Sequence, residues 1–282
     1  MKILGWIKKG SKDKLKELLE GFELPSFPDV IMEALSVLRD DGASMREIAD
    51  ILQRDPGMHV QILRMVNSAA YGLSTKVGNI HHAVTMLGRS RIESMLLSHA
   101  VKETLPCVSI PAFNGKRFWL TAARRANLAY MLSEFLHPVF KDEAFTVGLL
   151  QDMAVPVIAN VKKNEYNAIL EHVYSTDGRD QVVIEKEKLG FDHQEVGAIM
   201  AEEWNLPEYI STSIRNHHSI SEKDAKDLAV RLVSFINERH EFDDMERFID
   251  EWEEILQIDK EKMKSLTKDA FEKADDFFHS LY

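Results

Sequence analysis

Apolar residues return at intervals of three and four along nearly the whole chain, and this helical period constrains the fold more than any other feature. Val30, Ile31, Ala34, Leu35 and Leu38 set the pattern, with Pro28 ahead of the run and Gly42 beyond it. Residues spaced this way share one stripe of a helix, and each stripe must be buried against another element. Start and stop signals accompany the runs. Ser44-Met45-Arg46-Glu47 is a capping box that opens a helix through Ile48, Ile51 and Leu52. Asp55-Pro56 pairs an Asp N-cap with a proline at the first helical position, where the missing N–H costs nothing. Ile62, Leu63 and Val66 carry that helix towards Gly72. The same signals predict helices at about 79–87, 90–104, 116–136, 142–160, 163–174, 181–189, 193–204, 207–217, 222–240, 244–256 and 267–280. Strand signals are nearly absent, and the β-branched run Val182–Ile184 reads as readily as helix. The expected fold class is all-α.

Length and composition narrow the function. A chain of 282 residues with 45% apolar and 29% charged content has the composition of a folded globule with a sizeable core. One cysteine, Cys107, excludes a disulfide framework and any thiolate cluster for zinc or iron–sulfur, and agrees with a reducing cytoplasm. The net charge of −11 is the wrong sign for a non-specific nucleic-acid binder, so no nucleic acid is expected as a partner. The charge is also unevenly placed: residues 1–16 carry six Lys and one Asp, whereas the last 42 residues carry −8. The opening MKILGWIKKG is too short and too broken by lysines for a signal sequence or a membrane span, and is expected to dock Trp6 on the domain through a short helix.

Eleven histidines mark the places where chemistry could sit. His81, His82, His99, His137, His172, His240 and His279 are scattered without a partner spacing. His217-His218 stands apart as a pair just before a break between helices, and His193 lies one or two helices upstream in Phe-Asp-His-Gln-Glu-Val-Gly. Neutral imidazoles suit divalent transition metals, and a carboxylate commonly completes such a set. Asp152 is the polar exception on an apolar stretch that includes Val147, Leu149, Leu150, Met153 and Val155. Against a shared site stands the helix itself, on which adjacent histidines point about 100° apart.

An ordered series of motifs resembles a known family. It runs through Leu24-Pro25-Ser26-Phe27-Pro28, Asp55-Pro56-Gly57, Asn67-Ser68-Ala69-Ala70-Tyr71-Gly72 and Ala83-Val84-Thr85-Met86-Leu87-Gly88. It continues through Phe118-Trp119-Leu120, Gly148-Leu149-Leu150-Gln151-Asp152, Phe191 to Gly197, Trp204-Asn205-Leu206-Pro207 and His217-His218. Over about 22–220 the chain is similar to the HDOD domain, whose second half is similar to HD-type metal phosphohydrolases. Within these motifs Asn67 and Tyr71 can close their helix on the next loop, Gly72 supplies a left-handed turn, and Ser68 has no visible base to make it a nucleophile.

The resemblance implies a two-lobed helical bundle with an HD-like second lobe. Its divisions are a basic and apolar segment at 1–21, the HDOD domain at 22–220 with lobes at 22–110 and 111–220, and a helical extension at 221–282, acidic from about 241. An active HD phosphohydrolase needs a first histidine, a His-Asp doublet, further histidines and a late aspartate. Here Thr121 and Ala122 stand near the first histidine, Gln151-Asp152 replaces the doublet, and Asn237 stands at the late aspartate. Asp152, His193, His217 and His218 survive as metal candidates, enough for at most one weakly held divalent ion, and no catalytic residue is expected. The implied function is that of a non-catalytic, cytoplasmic, bacterial signal-transduction module that binds a partner protein or small ligand. The alternative is a metal-dependent phosphohydrolase of nucleotides or cyclic dinucleotides with a reduced ligand set. Binding a nucleotide without cleaving it would leave Arg89, Arg91, Arg124 and Arg125 as phosphate contacts.

Overall fold

Fifteen α-helical segments and two short 3-10 turns account for most of the described backbone. The structure, a computed structural model, describes residues 13–40, 42–67, 73–176, 178–220 and 225–281, and no strand forms among them. The expected docking of Trp6 and the roles of Ser68, Tyr71 and Gly72 lie outside the described residues. After a helical stretch at 13–18 (α1), the first lobe consists of α2 (Asp29–Leu38), α3 (Met45–Gln53), α4 (Pro56–Val66) and α5 (Ile80–Thr104). The caps work as the sequence requires. Ser44 and Glu47 form a reciprocal capping box, and the Asp55 side chain accepts from the Met58 N–H. Asn67 ties the end of α4 to the next loop by donating to the Leu63 and Val77 carbonyls and accepting from the Val77 N–H at 2.7 Å. α5 is two helical stretches that meet at Gly88, whose φ of 76° only glycine adopts cheaply.

The second lobe contains α6 (Gly115–Leu136), α7 (Lys141–Leu150), α8 (Ala154–Val161), α9 (Lys163–Ser175), α10 (Gln181–Leu189), α11 (His193–Glu203) and α12 (Glu208–Asn216), and α13 (Leu228–Val233), at the start of the extension, packs on α6 and α7. α5 packs on α2, α3 and α4 on one side and on α7 on the other, so it joins the lobes. Trp204 adds a second join by stacking on Phe27 at 4.6 Å and donating its indole N–H to the Pro25 carbonyl. By length and composition Pro138–Val161 could span a membrane, but most of it is buried in the core of this lobe.

Two predicted helices are corrected. The segment predicted as one helix at 142–160 is α7 and α8, separated by a turn at 151–153. Pro156 is the cause: it lacks the N–H that would bond the Asp152 carbonyl, and its ring would crowd that carbonyl. The helix therefore stops and restarts around Asp152. The segment predicted at 222–240 is helical only over α13. Beyond it, side chains compete for the backbone: Ser234 donates to the Arg231 carbonyl, Asn237 accepts from the Arg239 N–H, and His240 accepts from the Asn237 N–H.

Two more helices follow, α14 (Glu246–Leu256) and α15 (Lys260–Leu281). The extension's aromatics are used for packing, with Phe248, Trp252 and Phe271 all buried. Met263, Thr267, Ala270, Phe271 and Ala274 form the buried stripe of α15, which lies along α6 and also reaches α4.

Candidate metal centre

Asp152, His193, His217 and His218 converge, with one ligand atom from each within 4.8 Å of the others. His193 is the first residue of α11, placed by the Asp192 N-cap that accepts from the Glu195 N–H. His217 and His218 lie in the turn after α12 ends at Asn216, and their rings converge all the same, with centroids 4.3 Å apart. The Gln194 side chain accepts from the His218 N–H at 3.0 Å. Asp152 occupies the turn that Pro156 forces. The His193 Nε2 lies 3.1 Å from the Nε2 of both His217 and His218, and Asp152 Oδ1 lies 3.5 Å from His193 Nε2 and 3.3 Å from His217 Nε2.

The outer nitrogens explain why the inner ones face one another. His193 Nδ1 donates to Glu185 at 2.7 Å, His217 Nδ1 donates to the Ile214 carbonyl at 2.6 Å, and His218 Nδ1 donates to the Ser234 hydroxyl at 3.3 Å. With Nδ1 used as a donor in each ring, a neutral imidazole carries its lone pair on Nε2 and aims it at the common centre. Asp152 Oδ1 is buried and accepts no hydrogen bond, while its Oδ2 is held by the guanidinium of Arg125. Tetrahedral donors about 2.0–2.1 Å from a zinc ion stand about 3.3–3.4 Å apart, close to the spacings seen here. Four of the six donor–donor distances thus match a tetrahedral transition-metal ion, while the set as a whole lies within 4.8 Å, so the ligands would draw in to close around one ion.

Glu185 is a residue that the motif comparison passed over. It is fully buried on α10 and takes four hydrogen bonds: from the Tyr166 hydroxyl at 2.6 Å, from Gln181 at 2.9 Å, and from both the N–H and Nδ1 of His193. Its i+4 spacing from Gln181 and its place opposite a histidine two turns on were visible in the sequence. Its burial was not, because Lys186, Glu187 and Lys188 make the helix look solvated.

Burial disfavours charge on all three rings, yet the Glu185 carboxylate raises His193 to about 9. Burial holds His217 below its usual value and His218 well below, the latter reinforced by its neighbouring histidines. Burial would raise the Asp152 carboxyl, but Arg125 together with His217 and His193 brings the group well below the usual carboxylate range. Because the folded pKa of His193 exceeds the unfolded value of about 6.5, its contribution to stability is complete below pH ~6.5 and is lost as pH rises towards 9. Glu185→Gln removes the largest raising charge and leaves those of Asp152 and Asp192 against burial. In chelator-treated protein the His193 ring is then expected to titrate clearly below about 9, as read from imidazole resonances against pH. An unmoved titration near 9 would assign the shift elsewhere.

The residues that stand where the family's other ligands would be do not join, as expected of their chemistry. Gln151 is buried with no partner for its amide, and Asn237 spends its side chain on the Arg239 N–H. The four arginines considered for phosphate are committed internally. Arg89 donates to the carbonyls of Leu38, Asp40 and Ala43, and Arg91 to Tyr130 and Asp142. Arg124 donates to the His240 carbonyl and Glu241, and Arg125 to Asp152 and the Ile236 carbonyl. Both Arg124 and Arg125 are buried, not solvated.

The model of the HDOD domain matches residues 24–220. The chain belongs to the HDOD domain family. Among solved structures, this HDOD chain is similar to a candidate phosphohydrolase of Shewanella amazonensis SB2B, at 24% identity over 95% of this chain and 98% of that one, with a TM-score of 0.75. It is also similar to an HDOD domain protein of unknown function from Geobacter sulfurreducens, at 24% identity over 80% and 76% of the two chains, with a TM-score of 0.64. At these identities the likeness shows the fold. An uncharacterized protein of Treponema pallidum (strain Nichols) is 25% identical over 208 residues, which are 70% of this chain and 38% of that protein. The HDOD chain thus spans well under half the length of that relative.

Proposed function

We propose that this HDOD chain is a non-catalytic signal-transduction module of the bacterial cytoplasm that carries one closed transition-metal site. The single observation behind this reading is the division of labour at Asp152: one oxygen faces the three Nε2 atoms and the other is held by Arg125. Three imidazoles and one carboxylate oxygen fill a tetrahedral ion's positions, as in structural zinc sites, and leave none for a reacting water. Arg125 places a fixed positive charge where a two-metal clamp would need a further anionic ligand. The ion's role is then to hold α8, α11 and α12 together, and the module acts by binding a signalling protein or a small ligand through its helical surface, with no nucleic acid among its partners. The positioned outer nitrogens favour a firmer hold than the bare ligand count suggests.

Metal content and turnover test this together. The purified chain is expected to carry or take up one zinc-like ion, to lose it in His217→Ala, and to release no product from nucleotides or cyclic dinucleotides with zinc, manganese, iron or nickel. The similarity to the Shewanella protein keeps phosphohydrolysis as the competing reading. Stoichiometric metal with turnover that vanishes in His193→Ala would establish it and end the non-catalytic one.

A further inference from the structure

Residues 234–241 touch the metal centre on one side and the C-terminal helices on the other. On the site side, the Ser234 hydroxyl accepts from His218 Nδ1, the Phe235 ring lies 5.3 Å from the His218 ring, and the Ile236 carbonyl accepts from Arg125 Nε at 2.7 Å. The same guanidinium holds Asp152. On the far side, Arg124 donates to the His240 carbonyl at 3.1 Å and to Glu241 at 2.8 Å, and its guanidinium lies over the Phe271 ring of α15 at 4.6 Å. His240 in turn packs edge-on against Phe248 of α14. Arg124 and Arg125 are neighbours on α6, so their side chains leave the helix about 100° apart. One serves the centre and the other the extension.

We propose that occupancy of the His–Asp centre and docking of α14 and α15 are coupled through residues 234–241, so that a bound divalent ion tightens the extension's hold on α6. This rests on the one-ion reading above. An ion fixes the His218 ring and the Asp152 carboxylate, and these fix Ser234 and Arg125. The backbone from 234 to 241 is then held at both ends of its short run, and the Arg124 contacts begin from an ordered strap. The coupling is reciprocal, because whatever the ion adds to docking, docking adds to the ion's affinity. The centre would thereby report metal supply as release or retention of an acidic helical arm.

The experiment uses the full chain with Zn²⁺ alone as probe. Zinc is expected to slow amide exchange across 246–281 by about tenfold relative to chelator-treated protein. Arg124→Gln and Phe271→Ala, neither near the ligands, are expected to weaken zinc by a similar factor while the stoichiometry stays at one. Ile31→Val, a core change in α2, should leave the affinity alone, which separates coupling from general loss of stability. Zinc binding that protects only the turn at 151–153, α11 and α12 would overturn the coupling and leave the one-ion reading standing. Unchanged zinc affinity in both folded variants would do the same. Failure of the wild-type chain to bind zinc would overturn the one-ion reading and the coupling with it. If either variant fails to fold, the exchange comparison on the wild-type chain decides.

Discussion

Asp152→Ala is expected to cost about 3–5 kcal/mol of folding stability, more than loss of any one imidazole. The substitution removes the carboxylate that neutralises Arg125, whose side chain is 5% exposed and whose other acceptor is the Ile236 carbonyl. A guanidinium cannot shed its proton at any ordinary pH, so the charge stays with only the more distant influence of partly buried Glu238 against its desolvation. Asp152→Asn keeps an acceptor for one guanidinium N–H and should lose less. The double variant Asp152→Leu with Arg125→Met removes both charges for apolar groups and should recover much of the loss, as replaced buried pairs often do. Urea unfolding in the presence of chelator checks this with the ion removed as a variable. A loss below about 1 kcal/mol in Asp152→Ala would place the pair among solvent-screened bridges.

The architecture was legible because its signals are local. Capping boxes, a proline at a helix start and the three-to-four spacing act within a turn or two, and α2 to α6 and α9 to α12 follow them closely. Asp152, His193, His217 and His218 were legible as a set through motif order, which encodes contacts that no spacing rule reaches. The misjudged features are those that apolar periodicity does not weigh. The break at Asp152 was written in Pro156, but the apolar run around it read as one uninterrupted stripe. The end of the helix at 222–240 depends on side-chain hydrogen bonds of Ser234, Asn237 and His240 to backbone groups within three residues, which compete with the ladder locally and leave no mark in the apolar spacing. Arg124, Arg125 and Glu185 show the same limit. A charged residue reads as solvated until its partner, more than a hundred residues away for each arginine's carbonyl contact, is in place.

Gly148→Val is expected to destabilise the chain by about 3 kcal/mol, an overpacking cost at the upper end of the usual range. A Cβ at position 148 would lie 3.0 Å from Ala126 Cα, 3.2 Å from Ala126 N and 3.2 Å from the Arg125 carbonyl oxygen. These are backbone atoms of α6 and cannot swing aside as a side chain would. Ala122, Ala123, Ala126 and Ala129 keep that helix narrow where α7 crosses it, and glycine at 148 completes the close approach. Gly148→Ala should cost less, since the added methyl is smaller and alanine recovers roughly 1 kcal/mol of helix propensity. Gly115→Ala makes the contrast: its Cβ would meet only the Phe113 ring at 3.8 Å, so it should be neutral or slightly stabilising. The crossing also fixes the site, because Gly148 is one turn before Asp152 and its contact atoms belong to Arg125 and Ala126. Forcing α7 from α6 draws the carboxylate from its guanidinium. Denaturant midpoints should therefore fall together with zinc affinity in Gly148→Val, whereas a variant that lost stability alone would show that the crossing and the centre are independent.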